Sequence, residues 1–400
     1  MQFVYLGLIF AIIMTIMAFK RPFYEAVAGG LVASILFYRI PLSEVAIRSA
    51  AIVTKPDNLK VMLALYFVTY LQYMLEKRNL IELSVKDMDG VFKNRRLNAS
   101  LAPTAIGMLP SSASSYICGN IVNSQTAGYL NDDIRAAMTS WFKHTPESFL
   151  PTYTNTILFC SLSGIAISTL TTAALPMGVA SIAIMYFMYL VKIPKTPLSE
   201  PEKGRLESLK DLFSHLWPII ATVAIILAFD LHVAVAIPII IVCVAIVFKF
   251  TAEELIGLIT GAFQIKLIAN TALTLILKEF VDYAGVLDQL PEIITGLPIP
   301  AVVSFCIIYA IGGLTGFATG MITLVTPLAF ATLPGAGVGT LILFSAVNHA
   351  FSLISPVHTC LVFAADACHS TMGGLLKYTL IPNILYMASA IALYVVLDVL

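Results

Sequence analysis

Three runs of this chain, 2–19, 164–191 and 218–248, are apolar almost without interruption, and the last could fill two crossings of a bilayer. A hydrocarbon core of about 30 Å takes roughly 20 apolar residues of helix. The rest of the composition agrees: 59% of the 400 residues are hydrophobic and 12% are charged, against about a quarter charged in an ordinary soluble domain. The expected fold class is therefore an all-α polytopic membrane protein.

Spans are expected at 2–19, 25–40, 60–80, 134–160 and 164–191, then at 213–229, 231–249, 263–286, 338–365 and 372–398. The first begins at the N-terminus without a basic flank or a small-residue cleavage site, so it reads as a retained helix and not a signal peptide. Basic residues orient the rest. Lys77, Arg78, Lys86, Lys93, Arg95 and Arg96 mark 77–96 as cytoplasmic, and Lys192, Lys195, Lys203, Arg205 and Lys210 do the same for 192–210. The 288–298 loop, with Asp288 and Glu292 but no Lys or Arg, belongs outside. These assignments place both termini and the 41–59 loop outside the cytoplasm. They also require 98–130 and 297–334 to return to the side they entered.

A repeat explains those two segments. Aligned at a spacing of 205 without a gap, 105–154 and 310–359 share ten identities in fifty positions. Gly107/Gly312, His144/His349 and Pro151/Pro356 are among them, and these residue types are scarce here. At a spacing of 206 the span 59–81 matches 265–287. An odd number of crossings between the copies makes them face opposite ways, the inverted-topology repeat of secondary transporters. The halves are 1–192 and 211–400, joined by the polar linker 193–210, each with about five transmembrane helices plus a re-entrant hairpin.

The hairpins follow from polarity. Segment 98–130 is too long and too polar for one lipid-facing helix, so it is expected as arms 99–109 and 115–127 joined at "PSSAS". Its counterpart has arms 301–314 and 320–333 joined at "TGFAT". Irregular backbone at membrane depth is tolerated only against protein or water, and free N–H groups at such tips suit an anion. The same small residues, four apart at 107, 111, 115 and 119 and at 312, 316 and 320, equally suit close helix contact. The segments "WFKHTPESFLPTYTN" (141–155) and "AVNHAFSLISPVHTC" (346–360) each carry a His followed seven residues later by Pro, which should break both helices mid-membrane.

Candidate substrate-binding residues are thus Ser111, Ser112, Ser114, Ser115, His144, Thr145, Thr315, Gly316, Thr319, Gly320, His349, Ser355 and Thr359. A coupling ion would use Ser111 and Thr315 if it is Na⁺, or Glu147, His144 and His349 if it is H⁺; the oxygen-rich tips favour Na⁺. Lys143 and Glu147 are costly at depth, and intramembrane ionisable groups default to function. The six cysteines, at 118, 160, 243, 306, 360 and 368, show no CxxC spacing and read as packing residues, with no metal. Nor is there an HExxH or GxSxG motif for an intramembrane enzyme built from His144, Glu147, His349, His358 and Asp366. Equal numbers of basic and acidic residues, 23 of each, give no reason to expect nucleic acid.

These features resemble the ion transporter superfamily, whose members take up citrate, dicarboxylates and gluconate. "IGMLP" with its small-residue tip, "WFKH" and "SPVHTCLV" resemble more closely an uncharacterised prokaryotic membrane family within it. In those relatives Gly-rich residues are expected after the "LP"; here "SSASS" follows. The resemblance implies a homodimer with a scaffold and a mobile transport part, in the cell (inner) membrane. The expected function is cation-coupled secondary transport of a small organic anion, a carboxylate, by elevator-like alternating access. The alternative is a cation/proton antiporter. No cofactor is expected beyond the coupling ion.

Overall fold

The structure is a computed structural model that describes residues 2–19, 21–108, 114–197, 203–286, 296 and 298–400. Among the described residues every regular element is helical. The first half runs α1 (Gln2–Ala18), α2 (Phe23–Tyr38), α3 (Leu42–Thr54), α4 (Pro56–Lys77), α5 (Leu80–Phe92), α6 (Arg95–Gly107) and α7 (Ser114–Thr126). It continues with α8 (Asp132–His144), a 3-10 turn (Thr145–Ser148), α9 (Thr154–Ser163) and α10 (Ile167–Met188). The second half runs α11 (Arg205–Phe229), α12 (Val233–Val247), α13 (Ala252–Ala262), α14 (Ile265–Tyr283), α15 (Ala301–Thr315) and α16 (Ala318–Thr332). It ends with α17 (Val338–Ser352), α18 (Thr359–Ala367) and α19 (Met372–Tyr394).

Among the described residues three stretches, Ile167–Lys192, Arg205–Phe229 and Met372–Val399, are long and apolar enough to cross a bilayer. The pair α13–α14, bent by 50°, makes a fourth if it is one broken span. Outward faces carry Phe187, Phe229, Val242, Ile246 and Ile384, all exposed. Apolar surface on this scale belongs against lipid, and the chain is a multi-pass membrane protein.

Three short helices stand where the sequence suggested loops or gaps. The 41–59 loop is α3 and the first turn of α4; 77–96 contains α5; and α13 fills the interval after 249. Each is amphipathic and has only 11 to 13 residues, so a search for runs of spanning length passes over it. Their charges are also paired. Arg48 bonds Glu44 at 3.3 Å, and Lys55 reaches the buried Glu279 of α14 at 2.5 Å. What read as a solvated loop is a helix pinned to α14.

The expected spans 134–160 and 338–365 are each two pieces, as their prolines required, but the first break starts early. Helix α8 stops at His144 because Pro146, not only Pro151, interrupts it: a proline has no N–H for the carbonyl four residues back. Phe351 stands at the matching place in the second half, and α17 runs on to Ser352. Elsewhere the helix starts keep step at 205, with α9 and α18 at Thr154 and Thr359, and α10 and α19 at Ile167 and Met372.

Packing crosses between the halves. Helices α6 and α7 form one helical hairpin, α15 and α16 another. The second arm of each rests on the other half: α7 lies on α18, and α16 lies on α9. Likewise α12 and α13 pack on α4, while α2 and α3 pack on α14.

Candidate functional site

The two broken helices meet where the hairpins dock. Asn131 caps α8 by accepting from the Ile134 N–H at 2.9 Å, and Asp132 and Asp133 occupy its first turn. Lys143 and His144 fall in the last turn, where the helix dipole favours positive charge. Both are buried, at 4% and 1% exposure. After the breaks, α9 and α18 begin at Thr154 and Thr359, 205 residues apart. This arrangement offers partial positive charge at two helix starts and carbonyls at two helix ends.

Glycines let the hairpins approach. A Cβ on Gly107 would land on the carbonyl oxygen of Lys143, and one on Gly313 would lie 2.5 Å from that of Asn348. Gly119 faces Ala367 of α18, where a Cβ would be 2.6 Å from the Ala367 Cβ. At these positions close helix contact is the reason for glycine. Tyr153 donates to the carbonyl of Gly107, and Ser355 Oγ donates to that of Leu314 at 2.7 Å. Each break is thereby tied to the hairpin of its own half. Across the halves, Asn123 Nδ2 donates to Ala367 O at 2.9 Å, Tyr116 Oη donates to Asp366 at 2.7 Å, and Thr319 Oγ1 reaches Asn155 Oδ1 at 3.5 Å.

Of the candidates from sequence, Ser111 and Ser112 lie outside the described residues. Ser114 and Ser115 open α7 and are buried, and the Ser115 hydroxyl has no hydrogen-bond partner. Gly316 ends α15 in a left-handed conformation, φ 77°, as the tip requires. Thr315 donates to Ile311 O within its own helix. Gly320 packs on the Phe317 ring. Thr145 turns away from the hairpin tips, bonding Trp141 O and Ser181 Oγ at 2.8 Å. Ser355 Oγ is taken up by Leu314 O. Thr359 is exposed at the start of α18.

The histidines take different partners. His349 lies 3.2 Å from Glu147 Oε2 and packs on Tyr386, ring centroids 5.5 Å apart. His144 faces His358 instead, 5.0 Å between centroids. Asp366, bonded to Tyr116, is committed elsewhere. Sequence reasoning passed over Cys360: Lys143 Nζ donates to its sulfur at 3.4 Å, and it shares a cluster with His144 and His358. The adjacency of "HTC" was visible, but its third member comes from the other half of the chain.

A cavity of about 430 Å³ opens beside the first break, lined by Met108, Phe149, Leu150, Pro151 and residues of α10 and α11. Its walls are almost wholly apolar, so it can hold a hydrocarbon part but offers few donors to an anion.

No curated protein matches the sequence. The solved structure of the Alcanivorax borkumensis YdaH transporter is similar over 88% of this chain and 87% of that one, at 13% identity and a TM-score of 0.40. A likeness at that level carries no argument about function. Residues 3–397 match the model of a family described as protein of unknown function, DUF401, and the chain belongs to that family.

Proposed function

We propose that this protein is a secondary active transporter of a small carboxylate, coupled to Na⁺. The observation that carries this reading is the crossed docking of two helical hairpins on two broken helices, with Lys143, His144, Glu147 and His349 gathered at the breaks. Discontinuous helices put helix starts toward an anion and helix-end carbonyls toward a cation, the arrangement used by transporters with inverted repeats. The matched helix starts at a spacing of 205 and the reciprocal packing of α2–α3 and α12–α13 support such a repeat, with hairpins that enter and leave on one side. Each helix end supplies about half an elementary charge, enough with Lys143 for one or two carboxylates. In this reading the hairpins and breaks form the mobile part of a homodimer in the cell membrane, moving as an elevator with both termini outside the cytoplasm. No catalytic step is assigned.

The test is uptake of a panel of small carboxylates into proteoliposomes under an imposed Na⁺ gradient. Uptake that requires Na⁺, and that disappears in Thr319→Leu while the protein stays folded, is the expected result. Uptake that follows a pH gradient and ignores Na⁺ would favour the antiporter-like alternative, in which the Glu147–His349 pair couples. Unchanged affinity in Thr319→Leu would move the substrate away from the second hairpin.

A further inference from the structure

We propose that His144, His358 and Cys360 form a metal site for Zn²⁺ that joins the two broken helices. One ligand atom from each residue lies within 4.8 Å of the other two, against about 3.5 Å between donors around a tetrahedral zinc. The ring orientations are already fixed. His144 Nδ1 sits 2.6 Å from Ser140 O, and His358 Nδ1 sits 3.0 Å from Ser352 O. A ring nitrogen that donates to a backbone carbonyl leaves the other with its lone pair outward, which is how metal-binding histidines are held. His144 is buried, and its Nε2 shares the cluster with the Cys360 sulfur, so both ligand atoms already face one point in the interior.

The third ligand fits the same ion. A thiolate with two imidazoles selects a borderline-soft cation over Mg²⁺ or Ca²⁺. Lys143 Nζ, 3.4 Å from the Cys360 sulfur, supplies the outer hydrogen bond that supports a thiolate. Three protein ligands leave the fourth position open, as in zinc sites that bind a further molecule. The local charge count is positive: Zn²⁺ and Lys143 outweigh the thiolate and Glu147 by one, so an anion is the natural fourth ligand. Because His144 ends α8 while His358 and Cys360 begin α18, the ion would bridge residues 214 and 216 positions apart (358 − 144 and 360 − 144).

This site stands independently of transport and is tested without it. The purified full chain, stripped with a chelator and held in detergent, is titrated with Co²⁺ as the probe and then with Zn²⁺. One Co²⁺ per chain, with a thiolate-to-cobalt charge-transfer band that Zn²⁺ abolishes, is the expected result. The band should vanish in Cys360→Ser and persist in Cys118→Ser and Cys368→Ser, and His358→Gln should bind about tenfold more weakly or worse. Zn²⁺ should also raise the melting temperature of the wild type but not of Cys360→Ser. If Cys360→Ser fails to fold, His358→Gln and the wild-type titration decide. A folded wild type with no charge-transfer band, or a band that survives Cys360→Ser, overturns the proposal.

Discussion

The two breaks share a backbone plan and divide the chemistry. At one register position stand Lys143 and Asn348, and the carbonyl of each receives a hairpin glycine, Gly107 or Gly313. Three residues on, Pro146 faces Phe351 in the alignment, so α8 stops at His144 while α17 continues to Ser352. At another pair, Asn155 meets Thr319 while Cys360 meets Lys143. The first break thus contributes Lys143, His144 and Glu147, and the second contributes His349, His358 and Cys360. Neither half contributes all six.

The glycine contacts give the largest expected effect, because both breaks use them. Gly107→Val should cost about 3 kcal/mol, the upper end for overpacking a tight contact, and should lower the folded yield in detergent. Gly313→Ala should cost less, since its added atom meets Asn348 O at 2.5 Å rather than closer. Equal, small shifts in melting temperature would show that the hairpins are not held by these contacts.

Next comes the pair Lys143 and Asn348, 205 residues apart. Lys143→Met should cut uptake by about tenfold or more, the worth of a charge-assisted hydrogen bond of about 1.5–3 kcal/mol. Asn348→Ala, at the matching place, should leave uptake within a few-fold of wild type by the same measure. Similar losses in both would mean that the two halves share the charge's role. The Glu147–His349 bond joins the breaks directly. A double-mutant cycle with Glu147→Gln and His349→Gln, read by thermal unfolding, should give a coupling of about 1 kcal/mol; additive effects would show no coupling. Smallest is Pro146→Ala, worth about 0.5 kcal/mol, which should let α8 extend as α17 does and slow amide exchange at 147–149. Unchanged exchange there would assign the early break to something other than the proline.

Much of the frame was legible from sequence because it depends on local rules. Apolar run length marked α10, α11 and α19, and His–x₆–Pro marked both breaks. The 205-residue spacing anticipated helix starts as far as Met372. Where the chain is amphipathic rather than apolar, length failed as a guide. Helices α3, α5 and α13 were passed over because their charges looked solvated, although Lys55 in fact reaches a buried Glu279. The candidate site was half legible. His144 and His349 were singled out from their matching positions, but their neighbours were not legible: one faces His358 and the other Glu147. Cys360 reads as packing from sequence because it lies in an apolar segment without CxxC spacing. His358 is its near neighbour in sequence, but Lys143 and His144 reach it from α8, which no local pattern encodes.

That crossing has a consequence for how the chain is made. Tyr116 and Asn123 of the first hairpin find their partners at Asp366 and Ala367, 250 and 244 residues later. At about 5–20 residues per second, synthesis leaves the first hairpin waiting roughly 12–50 s before its dock exists. For that interval a segment with serines, asparagines and a glutamine must be sheltered by the insertion machinery, or by α8, which follows it at once. The second hairpin meets no such delay, because α9 is complete before α16 begins. The first hairpin can therefore reach its full dock only once α18 has been made.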